Sequence, residues 1–251
     1  MTQVPLPIVD WARSADRITV MTGAGMSAES GVPTFRDAPD SLWSRFDPKQ
    51  LTSIGAWWED RHLVWGWHMW LAMLMRDAQP NAGHHALARW GRSATVRVVT
   101  QNIDDLHERA GSQVLAKVHG SMTAFRCEAC AAPHTEPVGI PDEPVERLAP
   151  PECRACGQAV RPGVVWFGES LPGQAFEAAI DAMLDADLLL VIGTSGIVQP
   201  AASLPDLARG HGVPVVEINP QVTALSTRVD EVWRVSAADG LAALVDAVLD
   251  D

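Results

Sequence analysis

The chain has 251 residues, of which 47% are hydrophobic and 20% charged, so it can bury a sizeable core and is not a disordered sequence. Its formal net charge of −12 disfavours nucleic acid as a partner, because phosphate binding requires a concentrated basic face. Lysine-rich protein segments are easier partners electrostatically. We also expect the chain to act as a monomer.

The N-terminal stretch lacks the basic start and apolar run of a secretory signal, and it is typical of a first amphipathic helix. The most apolar run, at 62–75, is shorter than the roughly 20 residues that a membrane-spanning helix needs. We therefore expect no membrane partner and a cytoplasmic location.

Short apolar runs predict buried parallel strands at 18–22, 96–100, 188–192, 213–218 and 232–235. Helix-like segments lie between them, at 82–89, 174–186, 200–209 and 239–249. This alternation predicts an α/β fold with a Rossmann-like, doubly wound parallel sheet.

Two stretches interrupt the alternation, a tryptophan-rich one and a cysteine- and proline-rich one. We predict that they form a small domain, with a helical module at 41–81 and a cysteine module at 121–161. The Rossmann-like domain then comprises residues 1–40, 82–120 and 162–251. Ligands of such sheets bind outside the carboxyl ends of the strands, so the cleft between sheet and small domain is the expected site.

The four cysteines form two CxxC pairs separated by 22 residues, Cys127, Cys130, Cys153 and Cys156. Four thiolates in this arrangement can surround one zinc ion tetrahedrally. Two disulfides are the alternative, but a reducing compartment would keep them open. We predict one structural zinc per chain, because the protein itself supplies all four ligands.

Residues 23–28, GAGMSA, follow the first predicted strand. On a strand-to-helix turn this pattern fits a dinucleotide cradle, although a tight turn requires glycine for steric reasons alone. The acidic residue that dehydrogenases place about 20 positions later is missing, which disfavours hydride transfer.

Polar residues also follow other predicted strands, at 101–104, 193–195 and 219. Each could be an ordinary turn, yet together they would face one cleft. His119 ends a further short strand at the mouth of this cleft. Although a single histidine is more often structural, this one is a candidate general base.

Several motifs occur in order along the chain: GAGMSAESGVPTFR at 23–36, TQNIDDLHERAG at 100–111, HG at 119–120, the paired CxxC, VVWFGE at 164–169, GTS at 193–195 and EIN at 217–219. Together they resemble the sirtuin family of NAD-dependent protein lysine deacylases. The resemblance runs from about residue 14 to the C-terminus. It implies a Rossmann-like domain, a small domain with a zinc ribbon, and an acyl-lysine protein substrate between them.

The resemblance also implies roles for individual residues. The phosphates and nicotinamide ribose of NAD would be held by Gly23, Ala24, Gly25, Ser27, Thr34, Phe35 and Arg36. The nicotinamide pocket would be lined by Gln101, Asn102 and Asp104, and the adenosine end by Gly193, Thr194, Ser195, Asn219 and Ala237. The acyl-lysine backbone would add as a strand and pair with Val165, Trp166, Phe167, Gly168 and Glu169.

The chemistry that the resemblance implies is acyl transfer, with His119 and Asn102 as catalytic residues. In the family, the acyl oxygen attacks the ribose carbon that bears nicotinamide and gives an alkylimidate. The histidine then acts as base towards a ribose hydroxyl. The products are nicotinamide, acyl-ADP-ribose and free lysine, and the reaction requires a dry cleft.

Two other functions remain open from the sequence. The same cleft would permit mono-ADP-ribosyl transfer or NAD hydrolysis if another nucleophile arrived. A non-enzymatic NAD-sensing or zinc-ribbon module is a third possibility, which His119 disfavours because a pure binder needs no base there.

The stretch VWGWHMWL at 64–71 bears on the acyl group. The sequence resembles the desuccinylase-like sirtuins, which carry a Tyr-x-x-Arg pair on this helix, but His68 and Leu71 stand at those positions. We expect His68 and Leu71 to reach the acyl channel, and Trp65 and Trp70 to lie in the core. Neutral acyl groups should then be preferred over succinyl, unless a protonated His68 replaces the arginine.

Overall fold

The computed structural model describes residues 3–34, 43 and 46–250. Six parallel strands form the main sheet in the spatial order β3-β2-β1-β7-β8-β9. They are β1 Arg17–Thr22, β2 Thr95–Thr100, β3 Val114–Lys117, β7 Leu188–Ile192, β8 Val215–Ile218 and β9 Glu231–Trp233. The predicted doubly wound sheet is confirmed, with small differences at the strand ends.

Helices cover both faces of this sheet, which explains why the central strands β1, β7 and β8 are buried along almost their whole length. On one face lie α1 Leu6–Ser14, α5 Ala82–Trp90 and α9 Ala237–Leu249, whose apolar sides share a core with β1, β7 and β8. On the other face lie α7 Gly173–Leu184 and α8 Leu204–Gly210. The short helix α6 Leu106–Ala110 follows β2.

Between β1 and β2 the chain forms the helices α2 Pro48–Leu51, α3 Ile54–Glu59 and α4 Arg61–Asp77. The Asp60 carboxylate caps α4 by accepting the Leu63 amide at 3.1 Å. The whole stretch 64–71 is buried, so Trp65 and Trp70 lie in the core as predicted. None of the helices in the described part of the chain is long and apolar enough to cross a membrane.

The cysteine-rich stretch forms a three-stranded antiparallel sheet in the order β5-β4-β6. Its strands are β4 Gly120–Cys127, β5 Pro133–His134 and β6 Val160–Val164. The proline-rich segment that follows β5 is packed against α4: the Leu148 amide donates to the His62 carbonyl at 3.0 Å, and a Cβ on Gly66 would lie 2.4 Å from the Glu146 carbonyl. A glycine is therefore required on this face of α4.

One local prediction is wrong. The segment after β1 was expected to begin a helix, but it forms two short 3-10 turns, Ala24–Met26 and Ala28–Ser30. Gly31 ends the second turn in the left-handed region with φ of 85°, and Pro33 follows shortly. Glycine has a low helix propensity, and the close approach of Gly25 to the neighbouring turn holds this backbone in place.

Candidate active site

The site lies where the strand order reverses, since β1 has β2 on one side and β7 on the other. The turns after β1 and β7 interlock there. The Gly25 amide donates to the Gly193 carbonyl at 2.8 Å, and a Cβ on Gly25 would lie 2.7 Å from Gly193 Cα. A Cβ on Gly23 would lie 2.9 Å from Thr194 Cα. The glycines are thus needed for backbone packing, and such a crevice is where doubly wound sheets bind ligands.

A buried hydrogen-bond network joins the turn after β1 to the turn after β2. The side-chain amide of Asn102 donates to the Gly23 carbonyl at 3.0 Å and to the Ser27 hydroxyl at 3.1 Å. Ser27 in turn donates to the Asp104 carboxylate at 2.9 Å. Burial raises the pKa of the Asp104 carboxyl, opposed by hydrogen bonds from the Leu106 amide and the Ser27 hydroxyl. Polar groups from both turns are therefore fixed side by side.

The turns after β7 and β8 join the same network. The Gln101 side chain donates to the Thr194 hydroxyl at 3.1 Å, and the Asn219 side chain donates to the Thr194 carbonyl at 3.1 Å. The carboxyl ends of four neighbouring strands therefore meet at one polar crevice, as the sequence predicted.

His119 follows β3 and stands at the edge of this crevice, half-buried. Its Nδ1 lies 3.0 Å from the Gln101 carbonyl oxygen. Because a carbonyl can only accept, Nδ1 carries the proton and Nε2 keeps its lone pair. Burial lowers the pKa of His119, opposed by the hydrogen bond to Gln101. The imidazole is therefore neutral near pH 7 and able to take up a proton.

The segment that follows β6 borders His119. The Val165 amide donates to the His119 carbonyl at 2.9 Å. On the other side, the Phe167 amide donates to the Thr52 carbonyl at 2.8 Å, and the Ile54 amide donates to the Phe167 carbonyl at 3.1 Å. Phe167 thus already uses both backbone groups, so a peptide that adds as a strand here must pair with other groups of the segment.

Arg161 and Glu169 hold the segment that follows β6 in place through an ion pair and a hydrogen bond to its backbone. The Arg161 guanidinium is 3% exposed, forms a bidentate contact with the Glu169 carboxylate at 2.5 and 2.8 Å, and lies 3.6 Å from the centroid of the Trp166 ring. The Glu169 carboxylate also accepts the Trp166 amide at 2.9 Å. Burial raises the pKa of Glu169, but the hydrogen bonds from Arg161 and Trp166 outweigh it and hold this pKa below its usual range.

His68 on α4 is buried and uses both ring nitrogens. Nδ1 lies 2.7 Å from the Val64 carbonyl, and Nε2 accepts the Trp166 indole N–H at 2.9 Å. Burial, with a smaller contribution from the charge of Arg161, lowers the pKa of His68 to about 4. A protonated His68 in place of the arginine is therefore disfavoured near neutral pH. Leu71, one turn further along α4, is buried as well.

The four cysteine sulfurs lie within 4.8 Å of one another, with separations of 3.4 Å for Cys127–Cys156, 3.8 Å for Cys130–Cys153 and 3.6 Å for Cys130–Cys156. A disulfide needs about 2.05 Å. A tetrahedron with Zn–S bonds of about 2.3 Å places the sulfurs about 3.8 Å apart. The cluster therefore fits one zinc ion rather than two disulfides.

The zinc ribbon is also fastened to the helical module. Glu128, between the first two cysteines, accepts hydrogen bonds from the Trp57 indole at 2.6 Å and from the Arg61 guanidinium at 2.9 and 3.0 Å. A disordered ribbon would release these contacts.

We expect metal analysis of the purified protein to find one zinc per chain. Replacing Cys153 by serine should remove the metal, because a hydroxyl is a poor ligand for zinc beside three thiolates. The matched control is Ser121→Ala, in the same three-stranded sheet and outside the cluster, which should keep full zinc content. A folded, active protein without metal would contradict the prediction.

The structure thus brings together most of the residues that the sequence singled out. Ala237 lies at the start of α9 and shares a core with Met26 of the turn after β1, and the neighbouring Ala238 amide donates to the Glu29 carboxylate at 3.0 Å. Thr34 is half-buried, and Phe35 and Arg36 lie outside the described residues.

Sequence reasoning missed Arg161. Its signal was a charged residue within the apolar run of β6, eight positions before a glutamate.

Comparison with known proteins shows the family of the chain. A model of the Sir2 family matches residues 23–200. The NAD-dependent protein deacylase of Corynebacterium glutamicum is 50% identical over 240 residues, 94% of this chain and 93% of that protein. The NAD-dependent protein deacylase of Mycobacterium tuberculosis is 47% identical over 230 residues, 92% and 97% of the two chains. A solved Sir2 homologue in complex with NAD superposes with a TM-score of 0.90 at 38% identity, covering 99% of this chain and 95% of that one.

Fold, site and sequence therefore agree, and the chain belongs to the Sir2 family. The resemblance to sirtuins that the motifs indicated is confirmed.

Proposed function

We infer that the protein is an NAD-dependent protein lysine deacylase, which transfers the acyl group of a lysine side chain to ADP-ribose and releases nicotinamide. The observation that carries this function is the neutral His119 beside the polar crevice, with Nδ1 tied to Gln101 and Nε2 free to accept a proton. Family membership and the names of the similar proteins support the same reaction.

In this proposal NAD supplies the ribose carbon that accepts the acyl oxygen, and the protein binds, orients and takes up protons. Gly23, Ala24, Gly25 and Ser27 would hold the phosphates and the nicotinamide ribose, and Gln101, Asn102 and Asp104 would line the nicotinamide pocket. His119 Nε2 would take a proton from a ribose hydroxyl. Thr34, Phe35 and Arg36 would shield the nicotinamide ribose, while the adenosine would be bordered by Gly193, Thr194, Ser195, Asn219 and Ala237.

The test is nicotinamide release with NAD and one peptide, either acetylated or free at its lysine. A deacylase releases nicotinamide only with the acylated peptide and forms free lysine in equal amount. Release without acyl-lysine would instead support NAD hydrolysis or ADP-ribosyl transfer. A cytoplasmic location and a monomeric state stay predictions.

We further propose that neutral acyl groups are removed better than succinyl. Leu71 is apolar and both ring nitrogens of His68 are engaged, so neither offers a cation to a carboxylate. A buried carboxylate without a charged hydrogen-bond donor loses roughly 1.5 to 3 kcal/mol, or one to two orders of magnitude in preference.

We expect Leu71→Arg, alone or with His68→Tyr, to raise desuccinylation relative to deacetylation by about tenfold or more, because a guanidinium binds a carboxylate bidentately. Leu71→Met is the matched control, since it keeps an apolar side chain of similar volume.

Succinyl turnover by the wild type should not rise as the pH falls from 8 to 6, because the pKa of His68 is lowered to about 4. Desuccinylation that equals deacetylation at pH 8 would contradict this acyl preference.

A further inference from the structure

Residues 165–169 connect His119, at the edge of the crevice, with the start of the helical module at Thr52 and Ile54. The Val165 amide holds the His119 carbonyl at 2.9 Å, while Phe167 is paired through its backbone with Thr52 and Ile54 beside the helical module. Trp166 lies between these two attachments. A shift of Trp166 would therefore displace the amide that holds His119 in place.

The Trp166 side chain is 2% exposed and lies in the apolar core around α4. One guanidinium and two aromatic rings lie against its indole ring. The Arg161 guanidinium lies 3.6 Å from the ring centroid, the Trp57 ring lies 5.2 Å away, and the His68 ring lies 5.4 Å away edge-on. Contacts with ring faces permit an indole to slide or tilt. Hydrogen bonds are directional, so the bond from the indole N–H to His68 Nε2, at 2.9 Å, sets the orientation of the ring within this packing.

The tautomer of His68 follows from its two partners. The Val64 carbonyl can only accept a hydrogen bond, so Nδ1 must carry a proton. The indole N–H can only donate, so Nε2 must carry none. Neutral His68 with its proton on Nδ1 is the one form that satisfies both, which leaves neither nitrogen to hydrogen bond an acyl group.

We propose that His68 is a positioning residue, which fixes the indole of Trp166 and through it holds residues 165–169 against His119. This inference rests on the proposed deacylase function and changes the role expected of His68. The side chain acts on the substrate through Trp166 and residues 165–169, rather than by donating or accepting a hydrogen bond with the acyl group.

Amide side chains separate the two hydrogen bonds of His68. In His68→Gln the amide group reaches the place of Nε2, so its oxygen can still accept the Trp166 N–H. In His68→Asn the shorter amide reaches only the place of Nδ1, so the bond to Val64 is kept and the bond to Trp166 is lost. Both variants are neutral and polar, which makes them a matched pair.

The experiment measures the kinetics of the full-length, zinc-loaded variants with NAD and an acetyl-lysine peptide. His68→Asn should raise the KM for the peptide about tenfold, because a buried indole N–H is left without a partner. His68→Gln should stay within about threefold of the wild type, and the KM for NAD should not change in either variant. A loss of folded protein alone would lower kcat and leave both KM values unchanged.

Trp166→Phe completes a double-mutant cycle, because phenylalanine has no N–H to place. In that background His68→Asn should change the peptide KM by less than about twofold. If His68→Asn does not fold, Trp166→Phe alone tests the same bond and should itself raise the peptide KM about tenfold. The inference would be overturned if the effects of the two substitutions on the peptide KM were additive, or if Trp166→Phe left the peptide KM unchanged. It would also be overturned if His68→Gln and His68→Asn raised the peptide KM equally.

A wild-type protein that releases no nicotinamide with the acetylated peptide would overturn the proposed function together with this inference. An active wild type with an additive cycle would overturn the inference alone.

Discussion

Replacing His119 by alanine is expected to lower the deacylation rate by about 10² to 10⁴-fold while the protein stays folded. A positioned general base contributes an effect of this size, and His119 is built for that role. Its Nδ1–H is used by the Gln101 carbonyl, its Nε2 keeps a lone pair, and burial lowers its pKa so that the neutral form prevails at pH 7. The measurement is kcat with saturating NAD and acetyl-lysine peptide.

His119→Asn is the matched variant. Its amide can replace Nδ1 as donor to Gln101, so the loop after β3 keeps its hydrogen bond, while nothing replaces Nε2 as base. We expect His119→Asn to be as inactive as His119→Ala and to bind NAD as the wild type does. Near-normal turnover by either folded variant would remove His119 from the mechanism. Activity in His119→Asn and not in His119→Ala would indicate a structural role.

Much of the large fold could be predicted from the sequence because its elements follow local rules. Strands buried on both faces are continuous apolar runs, as in LLLVI at 188–192, and parallel strands require helical crossovers between them. The polar residues at strand ends then had to share one edge of the sheet. This explains why Gln101, Thr194 and Asn219 meet at one crevice.

The details that set the chemistry depend on contacts between distant segments, which no local pattern reveals. The partner of His68 Nε2 is Trp166, 98 residues away. A single sequence shows that His68 lies on an apolar helix, but not that both its nitrogens are engaged. The turn after β1 likewise follows from the approach of Gly193, which lies far along the chain.

His107 shows the same limit within a recognised motif. The sequence places it in TQNIDDLHERAG, and nothing local indicates its role. In the structure its Nε2 lies 3.1 Å from the Thr22 hydroxyl, and its ring meets that of His84 at 4.8 Å between centroids. His84 in turn accepts the Asn81 amide in a capping box at the start of α5. Two histidines are thus packed as neutral groups beneath the cofactor crevice.

The second large effect that we expect is a loss of stability in mild acid. Burial lowers the pKa of His68 to about 4, of His84 to about 4 and of His107 to about 3, where 6.5 is the usual value. Below pH 6.5 the unfolded chain therefore binds protons that the folded chain does not, so the free energy of unfolding falls with pH. The stabilisation is complete above pH 6.5 and is lost progressively towards pH 4 for His68 and His84 and towards pH 3 for His107.

At pH 5.5, one unit below the usual histidine pKa, each of these side chains contributes between about 1 and 2 kcal/mol of this loss, or about 4 kcal/mol together. That is a large part of the 5 to 15 kcal/mol by which native proteins are typically stable. For a chain of this length it corresponds to a decrease in Tm of roughly 8 to 16 °C. Thermal unfolding at pH 7.5 and pH 5.5, without NAD, measures it.

A variant can separate this effect from the loss of zinc, which acid also promotes by protonating the cysteines. His107→Gln keeps an amide group that can hydrogen bond Thr22 but removes the titrating ring, so about a third of the acid sensitivity should disappear. The exposed His85 provides the control, since His85→Gln leaves all three buried rings in place. If His107→Gln lost as much stability between the two pH values as the wild type, His107 would have no part in the acid sensitivity.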